Sequence, residues 1–332
     1  MVKGNAYGHG DQRVTKALIE TGISRVGVIS IEEALGLRES GVGCEILIFS
    51  RFSKSAAKEV IQHKFTPVIS ALRDLEDLAS FKTPVDVHLK FDTGMHRMGF
   101  DLPMVAQLKE FFLKNLQVKV TAVCTHLSQG SDVANTNGFS QKQLGKLVGA
   151  LKEFGAVIPH ALNSDAMIAG QDSRPDLVQR WGARPGLAIY GLHSWPKLKA
   201  AMQLFSQLDL VRHVPKGESV SYGGRWTASR DSIIGVVPIG YGDGYFRSFG
   251  GKSSMLFREQ RVPVVGTVCM DYSLLDLTDA SVQAAPQVGE EVVIFGSQGK
   301  ETITVSELTD LVSTIPYELV TGLSARIPRV YK

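Results

Sequence analysis

The stretch VDVHLKFDTGMHRMGFDLPMVAQLKEFFLKNLQVKVTAVC, residues 85–124, decides how the first half of this chain is read. It opens on one apolar-rich run, Val85–Lys90, and closes on another, Val118–Cys124. Between them Val105, Leu108 and Phe112 recur at helical spacing, the mark of one buried helix face. Run, loop, helix and run together make a βα unit with parallel strands. The same rhythm continues outward in both directions. Further strands are expected at Arg25–Ile29, Cys44–Phe49, Thr66–Ile69, His160–Asn163 and Leu187–Tyr190, with a helix carrying Leu144, Leu147, Val148 and Leu151. Met1–Val2, the glycine-rich turn after Lys3 and the helical pattern Val14–Glu20 form the stub of an eighth strand with its helix. Eight parallel strands predict an α/β chain built on a (β/α)8 TIM-like barrel.

After about residue 205 the texture changes to β-branched runs and turn residues, at Ser219–Tyr222, Ser232–Ile239, Arg261–Leu275, Gly289–Phe295 and Arg326–Val330, with one helix near Val305–Ser313. We therefore expect a barrel over 1–205, its first strand truncated, and a mainly β domain over 206–332. A length of 332 residues suits this division, since single cores stop growing at roughly 250–300. With 21% charged and 44% hydrophobic residues, the composition excludes a disordered or coiled-coil chain. Thirty-six Lys and Arg against thirty-three Asp and Glu leave +3 without a dense basic run, so no nucleic-acid partner is expected. No eighteen-residue apolar run exists, so no membrane partner is expected either. Cys44, Cys124 and Cys269 lie far apart in apolar stretches, as reduced thiols of a cytoplasmic protein do.

In a parallel barrel, polar residues just past the carboxyl ends of the strands face the site. Here they are Lys3, Lys90, His126, Asn163, Ser164 and Arg184-Pro185-Gly186. Taken singly, each has an ordinary structural reading. Gathered at one rim, arginine, serine and glycine backbone suit an anionic, phosphate-bearing ligand, and no metal is called for. Lysine adds covalent chemistry, because a partly neutral amine forms a Schiff base with an aldehyde.

The segment Val2-Lys3-Gly4-Asn5-Ala6-Tyr7-Gly8-His9-Gly10 resembles the signature of the alanine racemases, pyridoxal 5'-phosphate (PLP) enzymes made of a barrel and a β domain. Further segments agree in the family's order: 90–99, Thr125-His126, Asn163-Ser164, 183–186, 189–191, 238–244, Val268-Cys269-Met270-Asp271 and Ile315-Pro316-Tyr317-Glu318. The match spans both halves of the chain. The resemblance implies that Lys3 holds PLP and is one of two proton-transfer bases, with Tyr241 the other. Inverting Cα requires removing a proton from one face and delivering one to the opposite face, which a single base serves poorly. To act as a phenolate, Tyr241 needs local electrostatic help.

The resemblance further implies that Arg184 faces the cofactor's pyridine nitrogen, where a fixed cation disfavours protonation and suppresses transamination. His126 is expected behind Arg184 as its orienting partner. Arg97 would meet the cofactor's phenolic oxygen and the substrate carboxylate, and the Met270 N–H that same carboxylate. Lys90 aligns with a lysine that is carbamylated in some relatives. Tyr7, Ser164, the Gly186 backbone and Tyr317 are the implied phosphate contacts, and Asn163 adjoins them. The two sets of residues are expected to meet across a homodimer interface, each active site borrowing a β domain from the partner.

The pattern departs at two places. Relatives carry a few dozen residues before the cofactor lysine, whereas Lys3 is third here, so the barrel is expected to have an open seam between its first and last strands. Thr267 stands where some relatives have arginine. The expected activity is racemisation of a small amino acid, L-alanine to D-alanine, for cell-wall precursor supply. A serine or broad-specificity racemase is the alternative, since a small pocket rejects an added hydroxyl weakly. A PLP-binding protein without turnover is the reading if the short N terminus is native. A decarboxylase of like architecture is disfavoured, because its Gly-Glu-Pro-Gly-Arg type phosphate motif is missing.

Overall fold

The computed structural model describes residues 1–282 and 284–332. Contacts divide the chain into two units, Met1–Ile189 and Tyr190–Lys332.

The first unit is a curled parallel sheet of seven strands in chain order: β1 (Arg25–Val28), β2 (Glu45–Ile48), β3 (Thr66–Ile69), β4 (Val85–Lys90), β5 (Val118–Cys124), β6 (Ile158–Leu162) and β7 (Gly182–Ala183). Helices such as Leu72–Ala79, Val105–Lys114 and Phe139–Leu151 connect them. Val28, Ile46, Ile48, Val87 and Leu89 are fully shielded, because a sheet covered by helices on one face and closing on itself leaves its strands buried on both sides. The α/β class and the parallel order agree with the sequence reading.

Two expectations fail in this unit. Leu187–Tyr190 is a 3-10 turn, and the seventh strand is the dipeptide Gly182–Ala183. The reason is local: Ser164 Oγ accepts the N–H groups of Gly186 and Ala188, at 2.9 and 3.2 Å, and Pro185 has none to give. Those groups are thus lost to any ladder, and the burial of Leu187, Ala188 and Tyr190 explains why the run reads as a strand. Residues 1–2 form no strand either. Instead Val2 N–H donates to the Gly27 carbonyl at 2.9 Å, and the Met1 nitrogen donates to the Pro185 carbonyl at 3.0 Å. Met1–Val2 therefore sits in the seam between β1 and the segment after β7, above a cavity of about 370 Å³.

The second unit is antiparallel. Strands β8 (Leu204–Gln207), β9 (Leu210–Val214), β12 (Ser232–Val237), β13 (Ser254–Phe257), β14 (Gln260–Val265), β15 (Ser273–Asp276), β16 (Glu291–Gln298) and β17 (Glu301–Ile303) form one sheet in the order β17-β16-β13-β14-β15-β12-β9, with β8 on β16. The short β10 (Ser219–Val220) and β11 (Trp226–Thr227) pair separately. The expected run Arg261–Leu275 is broken. Gly266, at φ +70, turns the chain, and a Cβ there would lie 2.8 Å from Ser221 Cβ. Residues 266–272 leave the sheet as a loop that carries Met270. Arg326–Val330 is not a strand, because Arg326 and Arg329 spend their guanidinium groups on Asp243, Asp271 and nearby carbonyls. A helix absent from the sequence reading, Pro316–Thr321, carries Tyr317.

Candidate active site

Lys3 opens a turn that is wound the wrong way. Gly4, Asn5 and Ala6 have φ of 61, 53 and 51°, and Tyr7 has 54°. Only Gly4 adopts this region freely, and each of the other three costs about 1–3 kcal/mol. The surroundings over-determine the turn. Glu33 accepts the N–H groups of Gly4 and Ile29, at 2.6 and 2.7 Å, and Asn5 Oδ1 accepts that of Asp11 at 3.0 Å. Such strain aims side chains, here Lys3 and the buried Tyr7. Burial lowers the Lys3 pKa, Arg97 lowers it further, and Glu33 opposes them.

Lys90 ends β4 and is buried. Burial lowers its pKa too, with Arg97 and Arg184 adding to the effect against Cys124 and Asp92. Arg97 rides on a closed loop: Asp92 Oδ1 caps the N–H groups of Gly94, Met95 and His96 within 3.1 Å, and Gly99 passes so close that a Cβ would lie 2.4 Å from the Asp92 nitrogen. His126 is pushed down to about 3 by burial and by the positive field of Arg184, Arg97, Lys90 and Lys3. It is a neutral ring among four cations.

Arg184 follows β7. Its Nη1 donates to His160 Nδ1 at 2.6 Å and to the His160 carbonyl at 2.8 Å, and its Nη2 donates to the Thr125 carbonyl at 2.6 Å. The partner of the guanidinium is thus His160, in the middle of β6 and paired with Gly182 of β7, whereas the resemblance implied His126 as the orienting residue. Phe49 lies under the guanidinium at 5.8 Å.

Beside Arg184, Ser164 Oγ, Gly186 N–H and Tyr7 Oη converge. A Cβ on Gly186 would stand 2.5 Å from the Tyr7 hydroxyl, so only glycine fits. Ser164 begins the helix Ser164–Ser173, whose N-terminal dipole favours an anion. Asn163 caps that helix, accepting from Ala166 N–H at 3.0 Å and donating to the Leu127 carbonyl at 3.3 Å. Its role here is to hold Ser164 in place. Two hydroxyls and a helix end in one cradle, with a partly desolvated amine on Lys3 in the same unit, are groups suited to the phosphate and aldehyde of PLP. The residues fit the group.

In the second unit, Tyr241 begins a 3-10 turn, Tyr241–Asp243, and is 46% exposed. The turn is anchored to the Met270 loop, with Tyr241 N–H on the Cys269 carbonyl at 3.0 Å and Gly242 N–H on the Met270 carbonyl at 2.8 Å. Gly240 permits this approach, since a Cβ would lie 2.3 Å from the Cys269 oxygen. Arg326 pins both segments by bonding Asp243 and Asp271, at 2.6 and 2.8 Å. Met270 is 55% exposed, and Thr267 is buried, donating to the Tyr222 carbonyl at 2.9 Å. Tyr317 is half-buried on its helix.

Sequence reasoning missed Glu33, His160, Thr125 and Arg326. His160 carried one usable signal, a polar residue inside an apolar strand. The others act through contacts remote in sequence.

Residues 1–194 match the family model "Alanine racemase, N-terminal domain" and 201–331 match "Alanine racemase, C-terminal domain". An alanine racemase from Carboxydothermus hydrogenoformans is 35% identical, the alignment covering 100% of this chain and 91% of the relative. The alanine racemase crystal structure from E. faecalis aligns with TM-score 0.88 at 31% identity, covering 100% of this chain and 90% of that one. The Bartonella henselae enzyme, solved with covalently bound pyridoxal phosphate, aligns with TM-score 0.87 at 27% identity, covering 100% and 91%.

Three histidines of the first unit are held neutral: His126 near 3, His88 at about 4, and His160 well below the ordinary value, in each case chiefly by burial. The unfolded chain binds protons at these rings from about pH 6.5 downward while the folded chain does not. This contribution to stability is therefore complete above about pH 6.5 and is lost as pH falls toward the folded values. Melting temperature should drop progressively over that acid range, less steeply in His126→Asn. A melting temperature that is flat down to about pH 5 would contradict the assignment.

Proposed function

The chain belongs to the alanine racemase family, and we propose that it interconverts L- and D-alanine with Lys3 and Tyr241 as its two bases. It is a PLP-dependent isomerase. When bound, PLP supplies the electron sink that lets the Cα–H bond of an amino acid ionise. The observation that carries the reading is the cradle of Tyr7, Ser164 and Gly186 in the same unit as a half-buried lysine whose pKa burial lowers.

In this reading the Tyr7 and Ser164 hydroxyls bind the cofactor phosphate against the Gly186 backbone, with Tyr317 as a further contact and Asn163 and His126 in the surrounding wall. Lys3 holds the cofactor covalently, and its lowered pKa keeps part of the amine neutral and able to take a proton from Cα. Arg184 presents a fixed cation toward the pyridine nitrogen and disfavours its protonation. Arg97 and the Met270 N–H bind the substrate carboxylate. Lys90 and Arg97 repel each other as ammonium and guanidinium. Addition of CO2 to a neutral Lys90 amine, with release of a proton, turns it into an anion that orients Arg97.

Tyr241 gives and takes the proton on the other face. Its exposure with Met270 supports a homodimer in which the second unit of one subunit completes the site of the other. Among the described residues no helix is long and apolar enough to cross a membrane, and all three cysteines are free. We place the enzyme in the cytoplasm, supplying D-alanine for cell-wall precursors.

Lys3→Ala should abolish the cofactor's absorption band. Tyr241→Phe should keep it and slow at least one direction of racemisation by about 100-fold or more. Mixed dimers of the two inactive variants should regain activity, because one of their two sites then contains both native bases. Mixed dimers as inactive as their parents would refute shared sites. With 13C-labelled bicarbonate, a carbamate resonance should appear that Lys90→Ala lacks, and its absence from the native enzyme would overturn the modification.

A further inference from the structure

Arg184 is the near end of a chain of side chains that runs down through the curled sheet. Its Nη1 meets His160 Nδ1 at 2.6 Å, His160 Nε2 meets His88 Nδ1 at 3.0 Å, and His88 Nε2 faces Glu45 Oε1 at 3.9 Å. Glu45 is in turn paired with Arg25, Nε to Oε2 at 3.2 Å. Beyond His88 lies a cavity of about 560 Å³ whose lining includes Arg25, Arg38, Glu45, His63, Asp86 and His88. Neither imidazole has a part in the proposed racemisation, and both are buried.

The direction of every hydrogen bond in this chain follows from one fact. A guanidinium donates and never accepts. His160 Nδ1 must therefore be the bare nitrogen of a neutral ring, which puts its hydrogen on Nε2. That hydrogen can go only to His88 Nδ1, so His88 is also bare at Nδ1 and carries its hydrogen on Nε2, toward Glu45. Protonating His160 would set N–H against N–H at 2.6 Å and cation against cation. Burial with Arg184 and Arg25 nearby holds both rings neutral, in agreement with this geometry.

We propose that His160 and His88 are positioning residues that fix the orientation of Arg184 through a one-way relay of two Nε2–H tautomers. The relay uses one Nη1 hydrogen on the His160 ring, while the His160 carbonyl takes the other and Thr125 takes one from Nη2. Among the described residues this leaves Nε–H and the second Nη2–H to face a ligand. The guanidinium cannot turn about its long axis without breaking three bonds. His88 never touches Arg184. Its part is to hold the His160 hydrogen on Nε2, so that Nδ1 stays an acceptor.

The inference rests on the reading that Arg184 faces the cofactor ring, and the experiment separates the two. Long-range 1H–15N spectra of the histidine side chains in the full-length protein without cofactor read the tautomers directly. They should show a bare Nδ1 and protonated Nε2 at both His160 and His88 near neutral pH. In His88→Leu, which removes the acceptor, His160 should become a tautomer mixture, and His88→Gln, whose amide oxygen can accept, should restore it. With the cofactor, His88→Leu should lower kcat about tenfold, as expected for one buried donor left unpaired, with KM little changed. It should also release more pyruvate per alanine inverted, and His88→Gln should recover both. A merely structural role would not move that partition. Nδ1–H or a doubly protonated ring at His160 in the native protein would overturn the relay without any variant having to fold. If the tautomers are as stated but Arg184→Lys leaves the pyruvate partition unchanged, it is the placement of Arg184 at the cofactor that fails.

Discussion

The rest of the structure depends on the cost of collecting positive charge. Burial and Arg97 lower the proton affinity of Lys3, burial with Arg97 and Arg184 lowers that of Lys90, and burial with the field of all four cations drives His126 down to about 3. A cluster of cations at the carboxyl ends of parallel strands is tolerable when each has acceptors and when an anionic ligand joins it. Arg184 has them in His160 and Thr125. In the proposed function the rest of the neutralisation comes from the cofactor phosphate at Ser164 and Gly186 and from the substrate carboxylate. The same field that draws the anions in keeps Lys3 and Lys90 reactive, because each amine is easier to deprotonate among like charges.

Geometry follows from that electrostatics. The proposed role of Lys3 needs an aimed side chain, and the left-handed turn of Lys3–Tyr7 aims it at the expense of three non-glycine residues in a disfavoured region. Glu33 ties the turn to β1, and Met1–Val2 ties the residues before it to both sides of the seam. In the second unit a different device serves the same end. Gly240 lets two loops touch at backbone distance, and Arg326 clamps them through two carboxylates. Both proposed bases thus stand on short, over-constrained turns.

Much of this was legible in the residues. Periodicity alone located six of the seven parallel strands to within a residue or two, because strands covered on both faces read as bounded apolar runs. It failed at Leu187–Tyr190, where a buried 3-10 turn has the same composition as a strand and the deciding bonds come from Ser164. It failed again at Arg326–Val330, where β-like residues serve two arginine clamps. Strand-end position located Lys3, Lys90, His126, Asn163, Ser164 and Arg184, while their roles and the second-unit residues came from ordered motif resemblance, which carries identities but not contacts. His126 was therefore expected where His160 stands, and the bond in question joins residues 24 apart in sequence.

The central claim is that the amine of Lys3, and no other, captures the cofactor aldehyde. Two desolvated lysines compete for that role, Lys3 and Lys90. Reducing the PLP-loaded protein with borohydride and mapping the modified peptide by mass spectrometry distinguishes them. The account predicts a pyridoxyl group on the peptide containing Lys3 alone, and a label on Lys90 or any other lysine would contradict it.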